Sequence, residues 1–235
     1  MIKHFSFYTF LKYTGFAVTL LLTGCSDSNP THVPTDTSLV FSIFPETYFS
    51  GSYSTSYSLN GYFSNGNIAT AFLGIQSGST TVFNAQPIKA IDSIFSLTNV
   101  TNGVLFSAIN ETYYSTDINN LTIEGGYRTI DAVSSMPIST NTIPLTGTIG
   151  DFGLIGNYTL SDGSNTISTW AILDGLNGKA KFVITSVNSA SSNTLLTTST
   201  ESWTISQDGT RSFINIQNTY HQSGDLTLIL SGSKI

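Results

Sequence analysis

The chain has 235 residues, with 8 Lys and Arg against 14 Asp and Glu and a formal net charge of −6. That acidic balance argues against a surface built for nucleic acid, and against electrostatic attraction to anionic lipid head groups. Only 9% of residues are charged, and the single cysteine, Cys25, leaves no partner for an intramolecular disulfide. Helices lean on Ala, Leu, Glu, Lys and Arg for propensity. This chain offers Ser, Thr, Asn and Gly alongside β-branched and aromatic residues, which favour strands.

In chain order, Lys3 and Lys12 give a positive front end, Phe16 to Leu22 an apolar run, and Thr23-Gly24 small residues before Cys25. This is the layout of a secretory signal, with an apolar run too short to span a bilayer as a permanent helix. Leu22-Thr23-Gly24-Cys25 resembles the lipobox of bacterial lipoproteins. The resemblance implies cleavage of residues 1–24 and a diacylglycerol thioether, with palmitate, on Cys25. It covers that motif alone. Ser26, rather than aspartate, directly after the cysteine implies the outer membrane by the enterobacterial sorting rule. The expected place is therefore the bacterial cell envelope, lipid-anchored in the outer membrane, facing the periplasm or the surface. The acyl chains hold such a protein to the membrane without help from the polypeptide. No cofactor is expected beyond this covalent lipid.

Residues 25–37 read as the lipidated cysteine and a flexible tether, with Pro30, Pro34 and little to bury. From Ser38 onward the pattern is strand and turn. In Gly51–Asn60, Tyr53, Thr55, Tyr57 and Leu59 fall on one face and four serines on the other, the period-two signature of a half-buried antiparallel strand. Asn-Gly pairs at 60–61, 65–66, 102–103 and 177–178, and Asp-Gly pairs at 162–163, 174–175 and 208–209, predict tight hairpin turns. Between them the expected strands are 68–76, 93–98, 104–113, 121–124, 153–160, 166–173, 179–187, 202–206, 212–220 and 226–230. Lys179 and Lys181, alternating on one of these, suit an edge strand protected from other chains. The fold class is all-β, in antiparallel hairpin-rich sheets.

Several segments recur in order at a spacing near 105 to 110 residues: Ser93–Leu97 with Glu201–Ile205, Phe106–Ile109 with Phe213–Ile216, and Leu121–Ile123 with Leu226–Leu228. Two architectures stay open. One has two tandem barrel or sandwich modules, 38–128 and 145–235, joined by a linker at 129–144 that holds Pro137 and Pro144. The other is one continuous barrel or sandwich.

No motif specifies a catalyst, and the balance is against an enzyme. His221 with Ser223 and Asp225 lies too close along the chain to converge as a triad, and reads as a solvated histidine. Asp117–Asn120 and Asp162–Asn165 read as turns bonding their own backbone rather than a metal site. The tyrosines are the remaining signal, each with an apolar ring and a hydroxyl suited to sugar, protein or cavity contacts. The candidate binding residues are Tyr53, Tyr57, Tyr113, Tyr158 and Tyr220. Three functional readings follow. The first is a non-catalytic β domain that binds an envelope protein or glycan, or scaffolds the envelope. The second is a carrier of a small apolar ligand, since residues 209–232 loosely resemble the last strands of lipocalins. The third is a polysaccharide hydrolase using carboxylates.

Overall fold

The computed structural model describes residues 33–235. The lipobox, Cys25, the signal and His32 lie outside the described residues.

The described residues form fourteen strands. They are β1 (Val40–Ser42), β2 (Ser54–Phe63), β3 (Ile68–Phe83), β4 (Gln86–Asn99), β5 (Val104–Ser115), β6 (Ile123–Arg128), β7 (Val133–Thr140), β8 (Thr146–Thr148), β9 (Phe152–Leu160), β10 (Asn165–Leu176), β11 (Lys179–Ser189), β12 (Leu195–Ile205), β13 (Arg211–Tyr220) and β14 (Leu226–Lys234). In β2 the expected faces hold, with Thr55, Tyr57 and Leu59 buried while Ser54, Ser58 and Asn60 are exposed.

Twelve of these strands close one antiparallel barrel, running β2 to β7 and β9 to β14, with β14 returning to pair with β2. Closure decides between the two architectures, because both halves share one sheet. Residues 133–140, expected as linker, are β7 of the wall. The repeated segments also occupy unlike places. Ser93–Leu97 lies in the third strand of its half and Glu201–Ile205 in the fourth, so matched segments run in opposite directions. The likeness is one of composition rather than of structural repeat. Lys179 and Lys181 do not mark an edge either, because β11 is paired on both sides and a closed barrel has none.

Closure draws β2 and β14 together at Leu230↔Gly61 and Gly232↔Leu59. A Cβ at Gly61 would overlap the Ile229 carbonyl, and one at Gly232 the Ser58 carbonyl. Asn60-Gly61 is therefore not a turn but the place where the seam needs bare backbone. Asp174-Gly175 likewise stays within β10, and the turn comes at Leu176, Asn177 and Gly178, with φ of 64°, 54° and 74°. The β3–β4 hairpin turns through Asn84 (φ 50°) and Ala85 (φ 61°), a left-handed pair with a methyl where glycine is favoured. Ala85→Gly is expected to raise stability by up to about 1 kcal/mol, read as a higher denaturation midpoint.

One end of the barrel is plugged. β1 pairs with β8 across it, Phe41 opposite Gly147, and Ile43 N–H donates to Leu145 C=O at 2.8 Å. Phe41 and Ile43 are fully buried there. Phe44 follows, its ring 6.2 Å from Phe182 and 6.1 Å from Tyr114. The chain entering the plug is docked too, contrary to a free tether as far as residue 37. Thr35 is buried, taking Asp174 Oδ1 on its N–H (3.1 Å) and donating its hydroxyl to Lys179 C=O (2.8 Å). A polar segment with little to bury is thus held by hydrogen bonds to the β10–β11 hairpin.

Candidate functional site in the barrel lumen

Inward residues divide the lumen into two unequal parts. Along β13, β14, β2 and β3 they are large and apolar, with Ile214, Ile216, Leu228, Leu230, Tyr57, Leu59 and Leu73 packed as core. Along β4 to β7 and β9 to β12 many are small and hydroxylated, among them Ser93, Thr112, Ser135, Thr166, Ser168 and Ser186. Short side chains at inward positions leave space. The result is a cavity of about 380 Å³, within the range of small-molecule sites. Ser168 and Ser186 join their hydroxyls across β10 and β11 at 2.8 Å. Ile91, Ile155, Ile184 and Tyr158 give the walls an apolar share.

The floor is aromatic and carries charge. Phe44 and Tyr48 come from the plug, Tyr114 from β5, Trp203 from β12 and Arg211 from the start of β13. The Arg211 guanidinium lies over the rings of Trp203 (4.7 Å) and Tyr48 (4.9 Å), with Phe44 at 5.8 Å. Such stacking stabilises the cation electrostatically. Below it Tyr57 packs on Trp203 at 5.3 Å, and its hydroxyl donates to the Arg211 carbonyl at 3.4 Å. Arg211 is only 4% exposed, and its Nε is buried without a hydrogen-bond partner. Among the described residues the ion pairs are Arg128–Asp131 and His221–Asp225, neither involving Arg211.

Glu201 stands two residues before Trp203 on the same inward face of β12 and lines the cavity. Burial pushes its carboxyl up from the ordinary value of 4.5, while the Arg211 charge and a hydrogen bond from Trp203 pull it partly back. The folded state therefore holds this proton more tightly than the unfolded chain. Stability is greatest below the ordinary carboxylate value and falls as pH rises through the elevated one. Glu201→Gln removes that fall. We expect the variant to melt higher than the parent at about pH 7 and level with it at about pH 4, as read by thermal denaturation.

No family model, characterised protein or solved structure matches this chain. The lumen is therefore read from its own residues.

The five candidate tyrosines do not share a surface. Tyr158 lines the cavity, its hydroxyl donating to Ile123 C=O at 3.2 Å. Tyr57 is buried under the floor. Tyr53 is half-buried, its ring 4.9 Å from Tyr48. Tyr113 packs on Phe83 at 4.7 Å and donates to Glu111 Oε2 at 2.6 Å. Tyr220 is partly exposed at the end of β13, away from the plug. The residues that gather at the floor instead are Tyr48, Tyr114, Glu201, Trp203 and Arg211. A usable signal existed in Glu201-Ser-Trp203-Thr-Ile205, whose alternation puts a carboxyl, an indole and an aliphatic chain on one face.

His221 is engaged rather than solvated. Its Nδ1 lies 2.6 Å from Asp225 Oδ1 and its Nε2 3.1 Å from Thr198 Oγ1. This has the order of a hydrolytic relay, but Asp225 is 74% exposed by its side chain and none of the three lines the cavity. The Asp117 and Asp162 carboxylates accept their own turn N–H groups, from Asn119 (3.0 Å) and Ser164 (2.9 Å). Among the described residues no three His, Cys, Asp or Glu side chains gather as metal ligands.

Proposed function

We propose that this chain is a lipid-anchored envelope protein whose barrel binds a small molecule in its lumen. The observation that carries the reading is the 380 Å³ cavity, floored by the plug and holding a buried arginine without an ion-pair partner. A barrel meant only as a scaffold gains by filling such a space, because voids forfeit packing energy. The wall chemistry modifies the ligand expected. A wholly apolar guest would bury Glu201, Ser168 and Ser186 against hydrocarbon and leave them unsatisfied, so an amphipathic guest fits better. The hydrolase reading has less support, since Glu111, the other acidic residue lining the cavity, is engaged by the Tyr113 hydroxyl. The remaining reading, an envelope scaffold or protein-binding domain, would place its partner on the outer wall.

The lipobox supplies the anchor in this reading. The outer face is mixed: Ser54, Ser58 and Asn60 are exposed and Ser96 and Ser107 bond hydroxyl to hydroxyl at 3.1 Å, while Phe72, Leu154 and Ile167 are exposed as well. Cys25→Ser is expected to abolish palmitate labelling and to move the protein out of the membrane fraction. Retention in the membrane by the unlabelled variant would refute the anchor. For the lumen, a fluorescent amphipathic dye is expected to bind at one saturable site, and Ser168→Phe, which fills the cavity, to abolish that binding. Dye binding indifferent to Ser168→Phe would place the site elsewhere.

A further inference from the structure

Resting on that reading, we infer that the lumen selects amphipathic monocarboxylates, with the ligand carboxylate seated on the Arg211 guanidinium at the cavity floor. Four observations lead there. Arg211 is 4% exposed and lines the cavity, so its charge is withdrawn from bulk water. Its Nε has no hydrogen-bond partner, and among the described residues no carboxylate pairs with it. The guanidinium plane is held by Trp203 at 4.7 Å and Tyr48 at 4.9 Å, which fixes the direction of its donors before any ligand arrives. Fork-shaped donors of this kind match a carboxylate in two parallel bonds.

A buried cation without an anion is costly, and a guest that brings the anion recovers the cost on binding. Glu201 is the acid closest to this role among the cavity residues, yet no ion pair joins it to Arg211. Burial raises its carboxyl above the ordinary value and the Arg211 charge draws it partly back, so the two groups feel each other without forming a direct ion pair. The second arginine that lines the cavity, Arg128, is already engaged by Asp131 at 2.6 Å. One cation without a direct ion pair, beside one acidic side chain, suits a single negative charge better than a phosphate dianion. The body of the guest then lies against Ile91, Ile155, Ile184 and Tyr158.

The test is titration of the full chain with octanoate, octanamide and octyl phosphate, read by tryptophan fluorescence, since Trp203 touches the proposed carboxylate seat. Octanoate is expected to bind at one site at least tenfold more tightly than octanamide or octyl phosphate. Arg211→Met should erase that preference while leaving weak octanamide binding in place. Arg211→Lys, which keeps the charge but not the fork, should restore part of it, and this also controls against misfolding. Equal binding of octanoate and octanamide, unchanged in both variants, would overturn the carboxylate assignment and leave the carrier reading standing. A preference for octyl phosphate would overturn it in favour of phosphate esters. No binding by any of the three, with the fluorescent dye also failing, would overturn the assignment and the carrier reading together.

Discussion

Phe182→Ala is expected to lower the stability of the barrel by about 3–5 kcal/mol, the usual cost of emptying a buried phenylalanine site. Phe182 is fully buried and lies in register between Ile172 of β10 and Trp203 of β12. Its ring faces Phe44 of the plug. The hole would therefore open where wall and plug meet, against strands fixed on both sides that cannot collapse into it. Loss of this contact also loosens the support of Phe44 and Trp203, two of the rings around Arg211. Chemical denaturation measures the stability loss directly. The same variant should bind octanoate more weakly even under conditions where it remains folded.

Gly61→Val is expected to be at least as damaging, beyond the roughly 1–3 kcal/mol of ordinary overpacking. The clash is with the Ile229 carbonyl and Leu230 Cα, which are backbone atoms. No rotamer relieves it. The strands β2 and β14 must separate where the first and last barrel strands join, exposing two edges that a closed barrel hides. Gly61→Ala should show a smaller effect of the same kind, and Thr70→Val, at the partner of Asn60 on the other side of β2, much less. Denaturation midpoints rank the three. Aggregation of Gly61→Val in size-exclusion chromatography would report the opened edges.

These two sites also show what the sequence revealed and what it hid. Strands with large apolar residues on one face and serine on the other, such as β2, are legible from alternation, and nearly every barrel strand is at least partly anticipated. The closure of β14 on β2 is not, because it joins residues about 170 positions apart through backbone alone, and its trace in the letters, Gly61, looks like a turn. The first half of β12 is hidden for another reason. Leu195–Thr200 carries hydroxyls on both faces, so no alternation marks it. The plug, Val40 to Tyr48, is recognisable only as apolar and aromatic residues without a period. β7 is masked by Pro137, tolerated at a register shift where β7 meets β9.

The cavity follows the same physics. Its space comes from Ser and Thr on inward positions, the same residue types that cover the outer wall, so the letters do not separate lumen from surface. Of the five candidate tyrosines only Tyr158 lines the cavity. The floor is assembled from three distant segments, around Phe44, around Tyr114, and in the β12–β13 hairpin that carries Trp203 and Arg211, brought together by barrel closure and the plug. Only after closure does Arg211, one of two arginines in the chain, become a buried cation facing an open space.

The most direct test of the central claim is native mass spectrometry of the protein purified gently from the cells that make it. The account predicts a reproducible additional mass of a few hundred daltons beyond the polypeptide and any covalent modification, the size that suits such a cavity. That mass should be absent from Ser168→Phe. A chain that emerges bare under the same conditions, with Ser168→Phe indistinguishable from it, would contradict a ligand-carrying lumen.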